Sequence, residues 1–255
     1  MSSNLDGLPL WGIFVLTIAL VVLSIRAGYW MGGRARSRTG SKQEAGGGSE
    51  ATSILGFLAF MLAFTFGMAA SRFDTRKELF LEEANAIGTT YLRASLLPGP
   101  YSGEIRALLR EYVAVRLEGV SDPDRLVGAI KRSEELHSLL WAKARIVASE
   151  QPDPVVSLFI QSLNELIDLH AKRVAAGLHH RIPPTIWAAL FAVTVLGMAA
   201  MGYQAGLSGS PRLFLMGLLT VTFSTVILLI ADLDRPLEGL LRVGQQAMTD
   251  VQKSM

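Results

Sequence analysis

Four apolar runs, residues 10–30, 53–70, 185–206 and 213–231, dominate this 255-residue sequence. Each is long enough to cross a bilayer as a helix, which takes roughly 20 residues at about 1.5 Å per residue. A chain with four such runs has to organise itself around a membrane. Its make-up agrees: half the residues are hydrophobic, 18% are charged, and the mean hydropathy is +0.36. The first run reads as an uncleaved anchor. The tail before it, MSSNLDGLP, carries no Lys or Arg, the run exceeds a signal peptide's apolar core, and no A-x-A site follows.

Several function classes fall away at once. The formal charge of +2 behind a pI near 9.0 is too small and scattered for nucleic acid, which selects a clustered basic face. The absence of cysteine excludes disulfides, thiolate metal centres and cysteine nucleophiles. There is no P-loop, GxSxG elbow or zincin motif, so no enzyme is expected and no cofactor is implied. No span centre holds an ionisable residue, which counts against a pump or a proton-coupled transporter.

The expected fold is an all-α membrane protein: four transmembrane helices, with an extramembrane helical bundle between spans two and three. Residues 1–52 hold the N-terminal tail, the first span and a Gly/Ser-rich basic loop expected to be flexible. Residues 53–97 form the second span and a long polar extension of the same helix. Residues 98–183 read as a helical domain. Its first run carries Ile105, Leu108, Leu109, Tyr112 and Val115 on one side; its second opens at Asp122-Pro123 and its third at Asp153-Pro154. Residues 184–231 form a hairpin of spans three and four, with Trp187 and Tyr203 as interfacial anchors. Residues 232–255 make an acidic turn and a short amphipathic helix. Arg34, Arg36, Arg38 and Lys42 in the first loop and Arg212 in the third place those loops in the cytoplasm by the positive-inside rule. The N-terminus and the helical domain then lie outside it.

One helical face of residues 53–93 concentrates the functional interest. At steps of three or four it carries Phe57, Phe60, Phe64, Gly67, Ser71, Asp74, Glu78, Glu82, Asn85 and Thr89. Phe57, Phe60, Phe64 and Gly67 could form a pore constriction that gates by dewetting, with the polar residues from Ser71 onward as its vestibule. The same phenylalanines also suit lipid-facing or helix-packing positions, and the carboxylates suit a solvated face balanced by Arg76 and Lys77. In a symmetric oligomer Asp74, Glu78 and Glu82 would form acidic rings that attract cations. Ala59, Ala63 and Gly67 repeat every four residues, a spacing that favours close packing on a neighbour in the same chain or another subunit.

The segments FLAFMLAFTFGMAASRFDTRKELFLEEANAIGTTYLRASLLP, IPPTIWAAL and ADLDRPLEGLLRVGQQAM resemble an uncharacterised membrane family labelled bestrophin-like, remotely related to bestrophin channels. EEANAIGTTYLRASLLP and DLDRP are its most specific motifs here. Bestrophins are pentameric channels, mostly for chloride, with some bacterial members passing cations. They have four membrane helices, line the pore with the second and narrow it with apolar side chains. The resemblance therefore implies a homo-oligomer, pentameric by analogy, in a lipid bilayer that is the bacterial cytoplasmic (inner) membrane. The chain lacks the dense acidic run of the animal calcium clasp, so calcium gating is not implied. The sidedness read from its loops also differs from that of bestrophins, whose termini and helical domain are cytosolic.

Three lesser candidates remain. Asp232, Asp234 and Glu238 crowd the exit of span four but lack the spacing and glycine of an EF-hand loop; a cap or an ion pair with Arg235 suits them better than a metal. His170, His179 and His180 read as polar residues near the interface with no third ligand type to complete a metal site. Thr220, Thr222, Ser224 and Thr225 should bond across helices or back to their own helix. The leading expectation is thus an oligomeric channel conducting ions passively along the second span, the permeant ion left open. The alternative is a membrane sensor or scaffold whose helical domain binds a ligand or partner.

Overall fold

The computed structural model describes residues 9–39, 48–121, 125–178, 181–209, 213–235, 239, 241 and 243–255. Among them are eight α-helices and no strand: α1 Leu10–Thr39, α2 Gly48–Ala94, α3 Tyr101–Ser121, α4 Leu126–Glu150, α5 Pro154–Leu178, α6 Pro184–Ser208, α7 Leu213–Asp234 and α8 Gln246–Ser254. Four of these, α1, α2, α6 and α7, contain stretches long and apolar enough to cross a membrane. The chain is an all-α membrane protein. It divides into two compact units, Met1–Ser71 with Arg181–Arg235 and Arg72–His180 with Pro236–Met255. The 47-residue α2 contributes to both.

In the first unit α1 packs on α6 and α7. The α1–α6 contact is reciprocal. Gly28 and Gly32 lie against the carbonyls of Ala199 and Tyr203, and Gly202 and Gly206 lie against those of Ile25 and Tyr29. Paired small-xxx-small motifs let two backbones meet where lipid supplies no hydrophobic drive. In this unit, among the described residues, the backbones of α1 and α6 come this close. On α2, Ala59, Ala63 and Gly67 are exposed, and a Cβ added at Gly67 meets nothing within 4 Å. Of the two neighbours expected for that small-residue face, the one in the same chain is absent among the described residues.

Helix α1 also outruns its expected end. Residues 32–39, the start of the expected flexible loop, are helical, because Ala and Arg are good helix formers and Gly32 is a packing contact. Lys42 lies outside the described residues, as do Arg212 and the pair Asp122-Pro123. Trp187 is a second correction. It is buried inside the chain and stacks on Phe191 of the same helix with centroids 6.0 Å apart, so its ring is not presented outward as an anchoring side chain would be. Thr220, Thr222 and Thr225 donate to the carbonyls of Met216, Leu218 and Val221 four residues back, so they do not bridge helices. Asp234 accepts the Ile182 N–H at 2.9 Å, tying the end of α7 to the segment that leads into α6.

The second unit is a bundle around Phe80, Ile87, Ile105, Leu109, Leu136, Leu140, Phe159, Leu163 and Leu166. Burying each such side chain contributes about 1.5–3 kcal/mol. Helix α5 starts at the expected Asp153-Pro154, and Asp153 caps it, its Oδ1 accepting the Val155 N–H at 2.7 Å. Helix α8 closes the bundle through buried Met248. Tyr91 and Arg110 both donate to the Met255 carbonyl, and Arg106 donates to the Tyr91 hydroxyl at 2.7 Å.

Candidate functional site

Helix α2 has two faces of opposite character. Leu58, Leu62, Thr65, Ala69, Arg76, Phe80, Glu83, Ile87, Thr90 and Ala94 are buried, spaced by three, four or seven residues. All ten residues of the stripe singled out in the sequence, Phe57 through Thr89, are exposed within the chain. Phe57, Phe60 and Phe64 are 53%, 64% and 60% exposed, too much for helix-packing side chains of a single subunit. No described residue pairs with Asp74, Glu78 or Glu82. Arg76, expected to balance them, is instead buried on the other face, its guanidinium 6.0 Å from the Phe73 ring. Lys77, the other expected counter-charge, stays on the exposed side with Asp74, Glu78 and Glu82, so that side carries three carboxylates against one ammonium.

What holds α2 in this rotation is a carboxylate one position away from the stripe. Glu83 is fully buried. Its Oε1 accepts the Tyr112 hydroxyl at 2.7 Å and lies 3.1 Å from Arg116 Nε; its Oε2 accepts from Arg116 at 3.3 Å and from Arg173. Tyr112 and Arg116 are one turn apart on α3, and His170 and Arg173 one turn apart on α5, so two helices each offer a pair of polar groups. Burial pushes the Glu83 carboxyl up, but Arg173, His170, Arg116 and Tyr112 together outweigh it and hold the group well below the usual carboxylate range. Burial and the neighbouring Glu83 drive the Tyr112 phenol well above its ordinary value, and burial lowers that of Arg173.

His170 lies in the core of this cluster, not at the membrane interface. Tyr112 gives its one proton to Glu83, so its oxygen receives the Nδ1–H of His170 at 3.1 Å. His137 on α4 meets His170 edge to face, centroids 4.8 Å apart, and Nε2 of both rings lacks a hydrogen-bond partner. Burial and then His170 lower the His137 pKa to about 4. Among the described residues no three His, Cys, Asp or Glu converge on a metal-sized site; His179, His180 and Glu238 lie outside them. The cluster is a fixed charge anchor.

His137 gives the bundle a pH dependence. Its folded pKa near 4 lies below its ordinary value of 6.5, so between these pH values the unfolded chain binds a proton that the folded chain refuses. Stability is complete above pH 6.5 and falls as the pH drops toward 4, by at most about 3 kcal/mol. His137→Phe should remove that loss in thermal melts of the full chain at pH 7.0 and 4.5; an undiminished drop would show that another group sets it.

The sequence reading missed Glu83, yet a signal existed. Glu83 is the one carboxylate on the buried line of α2, between Phe80 and Ile87. A charge on an apolar face is rarely buried unless paired, which is a reason to look for Arg on the facing helices.

Two comparisons bear on this architecture. A family model described as Bestrophin-like domain matches residues 15–248. The crystal structure of a bacterial bestrophin homolog from Klebsiella pneumoniae, solved as a point mutant, superposes with a TM-score of 0.65 over 96% of both chains at 15% identity. That likeness speaks for the fold. No curated protein matches the chain.

Proposed function

Because the chain belongs to the bestrophin-like family, we propose that several copies assemble in a lipid bilayer and conduct ions passively between their α2 helices. One observation carries this reading: a continuous stripe of ten residues on α2, aromatic in the membrane and acidic beyond it, has no cover among the described residues of its own chain. Around an axis the rings of Phe57, Phe60 and Phe64 narrow the path to a dry constriction. Gly67 and Ser71 widen it toward a vestibule of Asp74, Glu78, Glu82, Asn85 and Thr89. Those carboxylates concentrate cations and disfavour anions, which sets this vestibule apart from one built for chloride.

Exposed Leu81, Leu92 and Leu96, 51%, 69% and 67% accessible, support a homo-oligomer, since apolar side chains of this size gain by being covered in an assembly. Five copies follow from the family resemblance. The membrane in this reading is the bacterial cytoplasmic one, with the basic loop after α1 on its cytoplasmic side.

Planar-bilayer recording of the purified chain tests the proposal. Wild-type protein should give single-channel currents, and Phe60→Ala should raise conductance or open probability by relieving the dry constriction. Silence of both proteins across several salts would overturn it. A strict monomer by native mass spectrometry would do the same, and would favour a membrane sensor or scaffold instead.

A further inference from the structure

We propose that the outward groove between α1 and α7 is a binding site for an anionic phospholipid, its phosphate held by Arg26 and Arg34. The groove encloses about 1240 Å³. Its deep part is apolar, walled by Val22, Leu23, Ile25 and Met216; its shallow part carries Arg26, Trp30 and Arg34. Gly33 and Gly217 set its width, since a Cβ at either would meet nothing within 4 Å.

Three observations point to an anion with an apolar tail. First, α1 is uncharged only from residue 10 to 25, roughly 24 Å of helix against a hydrocarbon layer of about 30 Å. Arg26 therefore falls at a depth where a lone guanidinium needs a counter-charge or must snorkel. Second, no described residue supplies that charge: Arg26 is exposed and has no ion pair or hydrogen-bond partner among them. Third, side chains on a helix lean toward its N-terminus. Arg34 accordingly folds back onto the Trp30 ring, 3.3 Å from its centroid, bringing its guanidinium toward Arg26. Arg26 and Arg34 both border the apolar slot, two cations at its rim that complement a phosphodiester above an acyl chain. Basic pockets between membrane helices are where anionic lipid headgroups bind.

The test is quenching of Trp30 fluorescence by brominated lipids in reconstituted full-length chain. Trp187 is buried and Trp141 lies on extramembrane α4, so Trp11→Phe leaves Trp30 as the tryptophan lipids reach. Dibrominated phosphatidylglycerol should quench in preference to dibrominated phosphatidylcholine, by on the order of fivefold in relative affinity. Arg26→Gln with Arg34→Gln should bring that ratio to unity, while Arg26→Lys with Arg34→Lys should keep most of it. Gly217→Leu fills the slot, touches no charge and should weaken quenching by both lipids. Equal quenching of the wild-type groove by the two lipids would overturn the proposal. So would no quenching by either, which would mean that a second copy of the chain covers the groove.

Discussion

Glu83→Ala is expected to destabilise the extramembrane bundle by about 3–5 kcal/mol, the usual cost of removing one partner from a buried ion pair. The size follows from what stays behind. Arg116 and Arg173 both spend their charge on this carboxylate, and neither is more than 15% exposed. Tyr112 loses its acceptor as well. Glu83→Gln keeps the shape and part of the hydrogen bonding but still leaves two buried cations without an anion, so it should fall close to the alanine variant. Glu82→Ala, one residue away on the exposed face, should stay within about 0.5 kcal/mol of wild type. Denaturant unfolding of the full chain, followed by far-ultraviolet circular dichroism, gives the comparison. A Glu83→Ala variant within 1 kcal/mol of wild type would show that the cluster does not hold α2.

The second large effect is in the membrane unit. Gly28→Ala combined with Gly202→Ala should cost about 3 kcal/mol or more, at or beyond the upper end of ordinary overpacking. Each new Cβ would point straight at a carbonyl of the opposing helix, that of Ala199 in one case and Ile25 in the other. A flexible side chain could swing aside; a helix backbone can yield only if α1 and α6 separate along their length. Gly56→Ala is the contrast, because nothing lies within 4 Å of its Cβ and alanine gains up to about 1 kcal/mol of helix propensity over glycine. Thermal unfolding in detergent separates the two. Equal melting temperatures for the double variant and wild type would place the close approach elsewhere.

Much of the fold was written in the linear pattern. Apolar runs at 10–30, 53–70, 185–206 and 213–231 became α1, α2, α6 and α7, and the Asp-Pro at 153–154 started α5 where it stands. Those features are local: a run length, a 3.6-residue period, a cap. The α1–α6 contact was harder to see. Gly28, Gly32, Gly202 and Gly206 sit far apart in sequence, and nothing in either run alone says that it meets the other. His170 went astray for a related reason. Near the end of α5 it looked like an interfacial polar residue; its partners Glu83, Tyr112 and His137 come from three other helices.

By itself the sequence determined that α2 is one helix leaving the membrane, and that Phe57 through Thr89 share a single face of it. It could not decide which way that face points. Inside a bilayer lipid is as apolar as a leucine, so hydrophobicity does not separate buried from exposed residues; Leu58 and Phe57 look alike in sequence, yet one is fully buried and the other is half exposed. The decision came from tertiary structure. Arg116 and Arg173, brought from α3 and α5, capture Glu83 and turn that side of α2 inward. A buried carboxylate is stable only against such partners, and its capture leaves Asp74 and Glu82 facing outward; in the membrane unit, packing of Leu58 beside Gly197 of α6 does the same for Phe57.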